Sequence, residues 1–290
     1  MSTPTPENGP AAGTDAGFVV TERDMLGALE ILQRADADPD VLLVLSDEEI
    51  LALDGADALR ALGSPYLDQE HVHRETAGAT AMRGLIARRL VNPTDQARED
   101  EGELLVGEGD PADRLIQLER GLAGVLTLRR IPEGMLVLDR LASELRTRLG
   151  LYFFPDGGVL EEFVAADGFH HFCTPTRESL PARLAAFVDA HEVADRDGEV
   201  EEIGAREVTE LEGLEDTRAL TTLTAVGEDG ARRASVFVLS DRVRVVDNGA
   251  EDPAELPADA ALAISDVSPE GLQQVIASLL PPEPEAAGLG

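Results

Sequence analysis

Between Arg148 and Val188 the spacing of apolar positions changes from strand-like to helical, and the change predicts the local structure. Leu149–Phe154 is a continuous apolar and aromatic run that suits a buried strand. Pro155-Asp156-Gly157-Gly158 has turn chemistry. Val159–Val164 sets Glu161 and Glu162 between apolar neighbours, Asp167-Gly168 reads as a two-residue hairpin turn, and Phe169–Cys173 reads as a third strand. Thr176, Glu178 and Ser179 then resemble a helix start, after which Leu180, Leu184, Phe187 and Val188 recur at helical spacing.

The C-terminal stretch repeats this outline. Leu180 and Leu272 lie 92 positions apart (272 − 180), and at that offset Thr176 meets Ser268, Glu178 meets Glu270 and Leu184 meets Ile276. Phe172 meets Ile264, Phe187 meets Leu279 and Val188 meets Leu280. Upstream, Val236–Leu239 and Val243–Val246 flank a Ser240-Asp241 turn. Val125–Leu128 and Leu223–Val226 stand as first strands, so each unit reads as β-β-β-β-α. The fold class expected is α+β: internally duplicated units forming antiparallel sheet with flanking helices and quasi-two-fold symmetry.

From the start of the chain, residues 1–17 are rich in proline, threonine, glycine and acids and read as a disordered tail with no secretion signal. Residues 18–122 read as a mainly helical part. Thr21 caps a helix carrying Leu26, Leu29, Ile31 and Leu32, and Val41–Leu45 suits a strand or a buried helix. Ser46 through Glu49 has the form of a capping box. Thr80–Val91 predicts a basic amphipathic helix stopped by Asn92-Pro93, Gln96–Gly109 an acidic surface loop, and Asp113–Leu122 a further helix. The first sheet-helix unit spans 123–190 and the second 220–280. Between them 191–219 reads as an acidic linker with a short helix at 208–214, and 281–290 as a tail begun by two prolines.

Composition narrows the functional classes. The formal charge is −33, and every basic residue apart from histidine is arginine. Such a charge repels phosphate backbones and anionic lipid, which argues against nucleic-acid and membrane-surface partners. Without lysine there is neither a Walker A loop nor Schiff-base chemistry. No apolar run reaches membrane-spanning length, and the single cysteine, Cys173, excludes an intrachain disulfide. Together these features predict a cytoplasmic protein.

Candidate chemistry is sparse. His170 and His171 lie near Glu161, Glu162 and Cys173; a two-residue hairpin sets Phe163 opposite Phe172 and Glu162 opposite Cys173. Adjacent strand residues face opposite sides, so the two histidines cannot share one metal ion. His71 and His73 fall in a polar connector. The pairs Arg88-Arg89, Arg129-Arg130 and Arg232-Arg233 suit either phosphate or internal ion pairing, and the acidity of the chain favours the latter. No catalytic, cofactor-binding or metal residue is assigned, no cofactor is expected, and the chain is expected not to be an enzyme.

The stretches AMRGLIARRLV, VLTLRR at Val125–Arg130, and RLGLYFFPDGGVLEEF followed by GFHHF and the helix to Val188 carry a resemblance. Across roughly Phe18–Leu280, the order of elements resembles the EspG-type chaperones of actinobacterial type VII secretion. The resemblance implies a quasi-two-fold fold of antiparallel sheet and helical bundles. It also implies a cytosolic, non-enzymatic chaperone or adaptor that binds a protein client, such as a secreted helical one, without a cofactor. The alternatives are a regulatory or structural α+β protein with an unrelated partner, and a small-molecule-binding protein with a pocket between the repeats.

Overall fold

The computed structural model describes residues 19–93, 102–106, 116–205, 208, 216–228, 230–251, 257 and 260–282. The tail expected at 1–17, most of that at 281–290 and most of the helix expected at 208–214 lie outside them. The fold is α+β. In chain order the N-terminal part carries β1 (Val20–Thr21), α1 (Glu22–Leu32), β2 (Leu43–Ser46), α2 (Asp47–Asp54), α3 (Arg74–Ala87), β3 (Val91–Pro93), β4 (Leu104–Val106), β5 (Ile116–Leu118) and α4 (Arg120–Arg130). A first meander follows, β6 (Gly134–Ala142), β7 (Leu145–Phe153), β8 (Val159–Val164) and β9 (Phe169–Cys173), and ends in α5 (Leu180–Val188). After β10 (Glu201–Gly204) comes a second meander, β11 (Ala219–Gly227), β12 (Gly230–Val238), β13 (Val243–Gly249) and β14 (Ala261–Val267), ending in α6 (Pro269–Leu279).

Ten strands form one antiparallel sheet in the order β10-β14-β13-β12-β11-β6-β7-β8-β9-β2. The two meanders meet at β6 and β11 and run outward in the same strand order, each lengthened by one edge strand. Their registers correspond. Leu138 pairs with Leu149 and Leu223 with Ala234, both members shifted by 85 positions (223 − 138). Glu161 pairs with Cys173 and Val245 with Ser265, shifted by 84 and 92. Leu138 and Leu223, counterparts of one another, also pair directly across the central strands. The two registers therefore come into correspondence at that pair.

Side chains alternate across the sheet, so each face has its own core. On one face α5 and α6 cover a core that spans both meanders and includes Leu136, Leu138, Leu151, Leu184, Leu223, Val236 and Ile276. On the other, α1–α4 cover the first meander only, over Tyr152, Phe154, Leu160 and Phe172. A small cluster of Val246, Leu262 and Ile264 lies on that face of the second meander. No helix among the described residues is long and apolar enough to cross a membrane.

Several expectations are corrected. Val125–Leu128 is helix, inside α4, where every residue from Leu122 to Leu128 is buried; a run buried all round carries no period to separate helix from strand. The first strand of the meander is β6 instead. The helix expected at 80–91 runs six residues earlier, from Arg74. It ends in a Schellman motif: Arg89 takes φ 60°, and Leu90 and Arg89 donate to the Leu85 and Ile86 carbonyls. Val91–Pro93 then forms β3 against β5, which occupies part of the helix expected at 113–122. The loop expected at 96–109 contributes β4, paired with β1. The linker expected at 191–219 contributes β10, the edge strand beside β14.

Candidate functional site

Glu161 and Glu162 on β8, and His170 and His171 on β9, are consecutive strand residues, so the sheet divides them. The β8–β9 hairpin also differs by one residue from the expected register: Glu161 faces Cys173, Glu162 faces Phe172 and Phe163 faces His171. Ala165 and Phe169 close a three-residue loop in which Gly168 takes φ 83°. This is a type I turn followed by a left-handed residue, not a two-residue turn. Glu162 and His170 consequently face the α1–α4 layer, while Glu161, His171 and Cys173 face α5.

The α1–α4 side holds a sealed polar network. His170, fully buried, places Nδ1 2.6 Å from Glu162 Oε1 and Nε2 2.8 Å from Asp47 Oδ1. Arg129 on α4 donates through Nε to Glu162 Oε2 at 2.8 Å and through Nη1 to Asp54 Oδ2 at 3.2 Å. Tyr152 donates to Glu162 Oε2 at 2.6 Å, Arg130 pairs with Asp54, and the Tyr66 and Leu67 amides donate to Asp47 Oδ2. Burial raises the Glu162 carboxyl, but Arg129 and His170 outweigh it and hold the group at about 2. Burial lowers His170, yet its hydrogen bonds to Asp47 and Glu162 carry it above its ordinary value. With a proton on each nitrogen, His170 donates to both carboxylates. Three carboxylates then face three cations. An imidazole so engaged has no free nitrogen to act as a base, despite the resemblance of the network to a catalytic triad.

The α5 side is open. A groove of about 760 Å³ lies between α5, strands β7–β9 and the connector ahead of β2. Its walls are mainly apolar, with Val41, Leu149, Phe163 and Phe187 prominent. On its floor Arg183 grips Glu161 through Nε and Nη2, each at 2.8 Å, and the Cys173 thiol donates to Glu161 Oε1 at 3.3 Å. Burial and then Glu161 push the Cys173 thiol up to about 12, which leaves it a poor nucleophile. Glu161 raises the already basic Arg183 guanidinium further. His171 stacks at an angle on Phe163, 6.0 Å between ring centroids.

The other singled-out residues do not converge on this groove. His71 and His73 are exposed ahead of α3. Arg88 pairs with Glu49, Arg129 and Arg130 with the buried acids, and Arg232 and Arg233 donate to the Ser278 and Ala250 carbonyls. Among the described residues, no group of three or more histidine, cysteine, aspartate or glutamate side chains could hold a metal ion. The role of Arg183 was missed from sequence; its one signal is a charge at the position where the α6 counterpart, Val275, is apolar. The chain matches no family model and no curated protein.

Proposed function

We propose that this protein is a non-catalytic binding protein of the cytoplasm, a chaperone or adaptor for a protein client of the kind the EspG-type resemblance implies. The observation that carries the reading is the half-open, apolar-walled groove beside α5. Non-obligate protein surfaces combine such an apolar centre with a polar rim. The ion pairs of the interior are already satisfied from within, which leaves recognition rather than chemistry to the surface. The charge of −33 disfavours polyanionic partners and supports a protein one.

The test is affinity purification of the tagged full chain from its native cytoplasm. A stoichiometric protein partner, whose aggregation on dilution the chain suppresses in light scattering, is expected. Purification without a partner, together with no suppression, overturns the reading. The groove volume also falls within the range of small-molecule sites, which keeps a ligand-binding role as the second reading. Mass spectrometry of the native protein, revealing a retained small molecule in place of a client, favours that alternative.

A further inference from the structure

The register of the two meanders supplies a comparison within one chain. Glu161 corresponds to Val245 and Arg183 to Val275, so the second unit packs the same place with two valines. Glu161 is buried, with its side chain 4% exposed, while Arg183 is 32% exposed at the groove. Removing two charges from water is expensive, and apolar replacement of such a pair is often neutral or stabilising. The fold manages without the pair in the second meander, so the pair in the first answers to something besides stability.

The chemistry of the groove selects an occupant. Arg183 spends Nε and Nη2 on Glu161, and its Nη1 has no hydrogen-bond partner among the described residues. Because Glu161 balances its charge, the pair as a whole offers a donor without net charge. That suits a neutral acceptor such as a peptide carbonyl better than an anion. The connector forming the far wall carries Asp36, Asp38 and Asp40, all exposed, so the rim is negative. Phe163, Phe187 and Val41 supply the apolar contact.

We propose that the groove beside α5 binds an apolar peptide segment of the client flanked by basic side chains. A backbone carbonyl of that segment accepts from Arg183, and its arginines or lysines meet the aspartates of the connector. This inference rests on the client-binding reading above and names the chemistry that the groove selects.

The test uses the full chain and a fluorescein-labelled peptide of leucines and valines flanked by arginines, read by anisotropy. A second peptide carries glutamate in place of each arginine, and palmitate serves as a competitor. The arginine peptide is expected to bind at least about 10-fold tighter at low salt, with the gap narrowing as salt rises. The double variant E161V/R183V, which copies the second unit, is expected to keep or raise the melting temperature while weakening binding about 10-fold. The variant D38N/D40N changes exposed residues only and is expected to weaken the arginine peptide a few-fold (on the order of 3), while the glutamate peptide binds no more weakly than before. Equal binding of the two peptides, displacement by palmitate, or undiminished binding by E161V/R183V overturns the proposal. If E161V/R183V fails to fold, the pair is structural and its assignment falls; D38N/D40N then decides the basic flank alone. A client captured by the wild type and held equally by E161V/R183V removes the groove but leaves the chaperone reading. A groove that binds the arginine peptide in a protein with no client does the reverse.

Discussion

At His170 two carboxylates share one ring, and the charge state of that ring sets how the interior responds to pH. Its pKa is raised from 6.5, so the native state keeps a proton that the unfolded chain gives up. Stability from this site is full below about 6.5 and is lost as the pH rises through the raised native value. Glu162 works in the other direction. Held at about 2 against 4.5, it contributes fully above 4.5, and its contribution is lost as the pH falls towards 2. Urea midpoints measured across pH should decline on both flanks, and H170Q should abolish the alkaline decline while costing about 3–5 kcal/mol near neutrality. An unchanged alkaline limb in H170Q counts against a charged His170. At this scale sequence reading separated the two histidines by strand alternation but could not find their partners. Asp47 and Arg129 reach His170 and Glu162 from α2 and α4, more than thirty positions away, and only tertiary packing brings them in.

Elements with local signatures were readable from the chain. Thr21 with Asp24 and Ser46 with Glu49 form complete capping boxes, each closing two backbone donors within four residues. Strands β7, β8, β9, β11 and β13 and the apolar stripes of α5 and α6 were equally plain. What resisted was α4, whose sides are all buried, and the short strands β3, β4 and β5, which exist because a distant partner pairs with them. Neighbouring α1 explains much of the packing of α4: a Cβ on Gly27 would lie 2.6 Å from the Arg120 carbonyl oxygen, and one on Gly124 would lie 2.5 Å from the Gly27 carbonyl carbon. Backbone rather than side chain stands in the way, so the helices must separate to admit a methyl. G124A should cost roughly 1–3 kcal/mol despite the better helix propensity of alanine, measured by chemical denaturation. S46A, by contrast, should cost about 1 kcal/mol through its cap alone.

For the whole molecule, the central pairing of β6 with β11 joins both meanders into one sheet, under one core shared by α5 and α6. Calorimetry and circular dichroism should therefore report one coincident unfolding transition, not two. L138A, where the two meanders join, should lower stability by about 2–5 kcal/mol without splitting that transition. A resolved second transition in the variant would show that the two units stand independently. Sequence reading took the shared offset of the two helices for a repeat, and the two meanders share one strand order. It misplaced the first strand because β6 begins nine residues after the start of the apolar run taken for it, and only the cross-strand register at Leu138 identifies the strand that pairs with β11.

The same central pairing has a consequence for synthesis. As the chain leaves the ribosome, β6 can pair with β7 at once, but its other edge waits for β11, some 85 positions later. At about 5–20 residues per second that interval lasts about 4–17 s, during which the nascent first meander presents an unpaired strand edge. Neighbouring nascent copies on one message carry the same edge. Their most direct protection is mutual repulsion, since the first 218 residues are already strongly acidic.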